Sequence, residues 1–168
     1  VKNEARSFAC RIHNFDPTLP VYNTFQDLAR FRQVKTKEEI ALHRKACEIT
    51  EIGVKNMLSH LKPDMYEYEC EAYFDFSLKS HNAAHAFPTI AASGPNACCM
   101  HYSDNDRLMK DGDMILYDLG AKWGGYDADV SRTYPINGHF TEEQKTLYNI
   151  VLKGLDAAIA ATKPGQPK

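Results

Sequence analysis

The sequence has no run of apolar residues approaching the ~20 needed to span a bilayer, and residues 1–6 do not resemble a secretion signal. Membrane insertion and export are therefore not expected, and the reading is a cytoplasmic protein. It also lacks an excess of charge of one sign: 20 Lys and Arg stand against 22 Asp and Glu, a formal net charge of -2, with the two signs interspersed. That leaves no basic stripe for a nucleic-acid backbone and no acidic tail. The cysteines, Cys10, Cys47, Cys70, Cys98 and Cys99, are odd in number, which fits a reducing compartment. Cys98 and Cys99 are adjacent in what reads as an extended stretch, a poor geometry for a mutual bond. Low-complexity tracts and short-period repeats are missing as well.

What is present is an ordinary globular balance: 168 residues, 43% hydrophobic and 25% charged, enough for one core of modest size. Starting at Val1 rather than Met suggests that something precedes the chain. Residues 14–28 mix Pro17, Pro20, Asn23 and Thr24 with scattered apolar residues and hold no helical period. They read as a connector, and residues 1–35 as a linker or the remnant of a preceding domain. From Thr36 the pattern changes. Thr36 with Glu39 fits a capping box, and Ile40, Cys47, Val54, Leu58 and Leu61 follow at spacings of 7, 7, 4 and 3, predicting an amphipathic helix stopped near Pro63.

A second helix is predicted over residues 66–80, then a short buried strand over 89–92 closed by a turn at 93–96. Residues 114–119 and 126–136 read as strands, and Thr141 with Gln144 opens a last helix that carries Leu147, Val151, Leu155 and Ile159 and ends before Pro164. The order helix, helix, strands, helix predicts an α+β fold with helices packed on one face of an antiparallel sheet.

Two strands flanking a glycine-containing turn predict a hairpin. With its centre between Trp123 and Gly124, opposed residue numbers sum to 247 and Asp118 faces Asp129. Directly opposed residues hold their Cβ atoms roughly 4.5–5.5 Å apart. Two carboxylates at about 4 Å, with an effective dielectric near 20, repel by roughly 4 kcal/mol, and a bound cation reverses that sign. Asp118 interrupts an otherwise apolar strand, so the pair calls for a compensating charge. Hard oxygen donors suit manganese, magnesium or calcium, and a borderline metal would also accept a histidine nitrogen. The chemistry suggested is metal-assisted hydrolysis. Ser131, two positions beyond Asp129, is placed to orient that carboxylate, while Asp127 on the same face reads as exposed.

The segments 117–120 (Tyr-Asp-Leu-Gly) and 129–133 (Asp-Val-Ser-Arg-Thr), with aspartates eleven apart, resemble the two-aspartate hairpin of the pita-bread metallopeptidases. Upstream, 87–96 (Phe-Pro-Thr-Ile-Ala-Ala-Ser-Gly-Pro-Asn), His101-Tyr102 and 110–113 (Lys-Asp-Gly-Asp) resemble the Xaa-Pro aminopeptidase and prolidase branch, which is creatinase-like. The resemblance covers residues 36–159. It implies half of a pita-bread fold, with residues 36–168 as the N-terminal half of a catalytic domain. It implies two divalent metal ions in the complete site, manganese first and cobalt or zinc as alternatives. Asp118 would chelate one ion, Asp129 would bridge both, and His101 would contact substrate and assist proton transfer. The implied substrate is a peptide with proline at its second position.

The family completes its site with one histidine and two glutamates from the C-terminal half of the domain, and the sequence holds no matching run before Lys168. The chain alone is therefore expected to bind metal weakly or not at all and to be inactive. It is also expected to associate with the missing half or with another copy of itself, because half a pseudo-twofold fold leaves apolar surface uncovered. Two other functions stay open within the fold: a non-enzymatic peptide- or protein-binding module, and metal-free hydrolysis of a creatine-like substrate.

Overall fold

Thr36 and Glu39 close the capping box that their spacing predicts: the Thr36 amide donates to the Glu39 carboxylate at 2.6 Å and the Glu39 amide to the Thr36 hydroxyl at 3.3 Å. They start one long helix of the computed structural model, which describes residues 2–166. Residues up to Ile40 form one compact unit and those from Ala41 onward a second. The first unit carries α1 (Lys2–Phe15) and α2 (Phe25–Gln33), so the segment read as a connector is confined to the residues between them. The signal is weak there because α2 is only nine residues long and buries none of them, its apolar Phe25, Leu28 and Phe31 being exposed.

The second unit begins within α3 (Lys37–His60), at Ala41, and continues with α4 (Glu67–Ser80). Strands β1 (Ala84–His85) and β2 (Ile90–Ser93) follow, with a 3-10 turn over Gly94–Cys98 where Cys98 had read as extended. Then come β3 (Met114–Leu119), β4 (Ala121–Trp123), β5 (Tyr126–Asp127), β6 (Val130–Pro135) and α5 (Glu142–Ala161). The strands are antiparallel and, among the described residues, form two sheets of order β1-β4-β5 and β2-β3-β6.

One hairpin runs through both sheets, and its register corrects the expected one. Trp123 pairs with Tyr126, Leu119 with Val130, Asp118 with Ser131 and Met114 with Pro135, so opposed numbers sum to 249 from end to end. The centre lies between Gly124 and Gly125, at φ +59° and +84°. A two-residue hairpin turn of the primed type needs positive φ at both central positions, which glycine alone adopts freely. Asp118 therefore faces Ser131, and Asp129 falls opposite Gly120. A Cβ on Gly120 would sit 1.8 Å from the Ala128 carbonyl oxygen, so the strands pass from one sheet to the other at a crossing that excludes any side chain.

The core lies on one face of β3, where Ile115, Tyr117 and Leu119 are buried against Ile49, Met57, Phe74 and Leu78 from α3 and α4. Gly53 lets these helices approach, since a Cβ there would meet the Phe74 ring at 2.5 Å. Thr50 fastens α3 to β4 by accepting from the Ala121 amide at 2.9 Å. The opposite face of β3 carries Leu116 and Asp118, beside Ile90 and Ala92 of β2. No described helix is long and apolar enough to cross a membrane. The architecture is α+β, with helices packed on one face of an antiparallel sheet as the order of elements predicts.

Candidate metal centre

Asp118 projects from the middle of β3 on the face away from the core, half-buried, while Asp129 is exposed where the chain enters β6. Both line one open cleft of about 410 Å³ together with His101, Ser103, Phe87, Pro88 and Ile90. Asp118 and His101 also border a second cavity of about 340 Å³, next to Ser131, Ala92 and the exposed Cys98 and Cys99. The two aspartates and the histidine singled out in the sequence are thus brought together, although not by direct opposition of the aspartates. The Ser131 hydroxyl donates to the Asp118 carboxylate at 2.8 Å. This corrects its expected partner, Asp129, and the two-residue shift in register is the cause. Asp127 is exposed, as read, and pairs with Lys122 at 3.5 Å.

His101 sits in a turn with φ +56°, a left-handed conformation that costs a non-glycine residue roughly 1–2 kcal/mol. Such a residue persists only where its surroundings hold it. Two buried polar groups bond the loop around it, one at Tyr102 and Arg107 and one at Asn105. The first is Glu67, fully buried at the start of α4, whose carboxylate accepts from the Ser93 amide and hydroxyl at 2.6 Å each, from Asn96 at 3.4 Å, from the Tyr102 hydroxyl at 2.7 Å and from the Arg107 amide at 3.0 Å. Arg107 in turn donates to the Ser93 hydroxyl at 2.8 Å and pairs with Asp113 at 2.7 Å.

The second is Asn105, 3% exposed and itself left-handed at φ +48°. Its side-chain oxygen accepts from the Ala91 amide, and its nitrogen donates to the Thr89 carbonyl and to Glu71, all at 2.9 Å. The side chain thereby occupies the edge of β2 that β3 leaves free. Burial, with the hydrogen bond to Glu67 next, raises the Tyr102 phenol from 10.0 to about 12, so Tyr102 remains a donor at any physiological pH.

The reading of the sequence missed Glu67 and Asn105. For Glu67 a signal existed: the buried positions of α4, Glu67, Cys70, Phe74, Ser77 and Leu78, follow the helical repeat, which puts a carboxylate on the apolar stripe. A charge at such a position must be paired or hydrogen-bonded. Asn105 lies in a loop with no period and gave no comparable sign. Of the remaining histidines, His85 bonds Asp75 at 2.8 Å and His60 stacks on Tyr73 at 3.9 Å.

Asp118 and Asp129 are hard oxygen donors on one accessible surface, which suits them to a divalent cation. Among the described residues no group of three or more His, Cys, Asp or Glu side chains is placed to hold a metal ion. Two carboxylates are fewer donors than a closed metal site requires.

Residues 41–167 match metallopeptidase family M24. The chain is 38% identical over 135 residues to an Xaa-Pro aminopeptidase of Escherichia coli K12, covering 80% of this chain and 31% of that protein. It is 37% identical over 139 residues to an Xaa-Pro aminopeptidase of Haemophilus influenzae, covering 82% and 32%. Among solved structures it superposes with a TM-score of 0.85 on a candidate aminopeptidase P from Bacillus anthracis, 46% identical, over 89% of this chain and 36% of that one. A zinc-substituted Escherichia coli aminopeptidase P in complex with product gives a TM-score of 0.79 at 38% identity, over 80% and 31%. The chain spans about a third of the length of the curated relatives it matches. With the match over residues 41–167, these likenesses place it by descent: the chain belongs to metallopeptidase family M24.

Proposed function

We propose that the protein of which this chain forms part is a metal-dependent hydrolase that cleaves Xaa-Pro bonds at the N-terminus of peptides. The observation that carries the reading is the convergence of Asp118, Asp129 and His101 on one cleft. Asp118 and Asp129 would hold the divalent ions, two in the complete site and manganese by preference. Bound there, the ions would polarise the scissile carbonyl and activate water near neutral pH.

The chain's own residues supply the rest. Ser131 fixes the orientation of the Asp118 carboxylate. The His101 imidazole, on the rim of the cleft, contacts the substrate and assists proton transfer near the scissile bond. Phe87, Pro88 and Ile90 give the cleft an apolar wall suited to a proline ring.

In this reading residues 36–168 form the first half of the catalytic domain and residues 1–35 belong to what precedes it. The unit on its own is inactive, and α5 docks against the remainder of the domain. Leu147, Ile150, Val151 and Ile159 support this, each 62–72% exposed along that helix. A cytoplasmic location belongs to the same proposal.

The test is metal content and release of the first residue from an Xaa-Pro peptide, with added manganese, by the longer protein beside the 168-residue chain. About two ions and turnover in the former with an inert latter are expected. A metal-free, inactive longer protein would contradict the reading and leave a peptide- or protein-binding module.

A further inference from the structure

We propose that Glu67 is a positioning residue for His101, an inference that rests on reading the cleft as a hydrolytic site. Its carboxylate binds both ends of the segment that carries the histidine: the Ser93 amide at one end and the Arg107 amide at the other, fourteen residues on. Between them it holds Tyr102, the residue next to His101. His101 itself is exposed in a left-handed turn, so its place on the cleft is set through these neighbours rather than by packing of its own ring.

The bond pattern requires an acceptor at both oxygens. Oε1 receives the Ser93 amide, the Ser93 hydroxyl and Asn96, and Oε2 receives Tyr102 and the Arg107 amide. An ionised carboxylate is acceptor-only and satisfies all five. Glutamine has nearly the same shape, yet whichever way it turns its NH2 must meet a backbone N–H, of Ser93 or of Arg107. Hydroxyls can rotate to accept; backbone amides cannot. Glu67→Gln should therefore release one end of the segment while leaving the volume of the core unchanged.

The experiment follows amide hydrogen exchange of the 168-residue chain, residue by residue, with and without Glu67→Gln. The amides of Cys99, Tyr102 and Arg107 should exchange roughly tenfold faster or more, those of Ile115, Tyr117 and Leu119 far less so. An equal acceleration in both sets would make Glu67 a general core group and overturn the proposal. Where Glu67→Gln does not fold, Tyr102→Phe serves: local acceleration at Cys99 and Tyr102 upholds the inference, and none overturns it. In the longer protein Glu67→Gln should lower kcat with KM and metal content held. Unchanged kcat in an active protein would refute the positioning role, whereas an inactive parent protein would refute the hydrolase reading and leave the exchange result standing.

Discussion

Asp118 and Ser131 face each other across β3 and β6, joined by a 2.8 Å hydrogen bond from the serine hydroxyl to the carboxylate. The bond is exposed, so its contribution to folding is small. Ser131→Ala should change unfolding stability by less than about 1 kcal/mol in urea titration. It should weaken manganese binding by the longer protein less than Asp129→Asn does. Equal losses would make Ser131 a ligand rather than a support.

The turn that sets this register should be sensitive to a single methyl group. Gly125 has open space around its Cβ position and φ +84°, so Gly125→Ala reports backbone strain alone. A loss of about 1–2 kcal/mol is expected by chemical denaturation, with Gly125→Asn milder because asparagine tolerates the left-handed region. Indifference to both would place the hairpin centre elsewhere.

Gly120→Ala tests the crossing beside Asp129. The added Cβ would overlap a backbone oxygen, which cannot rotate away as a side chain can. A loss of at least about 3 kcal/mol, or failure to fold, is expected from overpacking against fixed backbone. A variant of unchanged stability would show that the strands separate there.

Alkaline pH should act through Tyr102. The unfolded chain gives up this proton near 10.0, the folded chain only near 12. The contribution is thus complete below pH 10 and is lost as pH rises through 12, because over that window the folded state holds more protons than the unfolded one. The difference in denaturation midpoint between the native chain and Tyr102→Phe should be constant below pH 9 and shrink above 10. A constant difference up to pH 12 would contradict the burial and bonding of this phenol.

The parts legible in the sequence were those with local signals. The capping boxes at Thr36 and Thr141 placed α3 and α5, and the apolar run of residues 114–119, interrupted by Asp118, placed β3. The hairpin was legible and its centre was not, although the pair Gly124-Gly125 carried the information: a primed turn puts both positive-φ residues at the centre. A shift of one position in the centre moves each partner by two. That kept Asp118 and Asp129 on one face while giving Asp118 a different neighbour, which is why the two aspartates still line one cleft despite the error in register. The polar network around Glu67 joins residues up to 40 positions apart, and no local pattern reports a contact of that kind.

The most direct test of the central claim, that Asp118 and Asp129 hold a divalent cation, is paramagnetic broadening of the amide spectrum of the 168-residue chain by manganese. Broadening registers even weak binding and reports where it occurs. The account predicts that signals of Asp118, Asp129 and Ser131 vanish first, that Asp118→Asn or Asp129→Asn abolishes the effect, and that His101→Ala preserves it. Broadening centred away from β3 and β6, or unchanged in both aspartate variants, would contradict it.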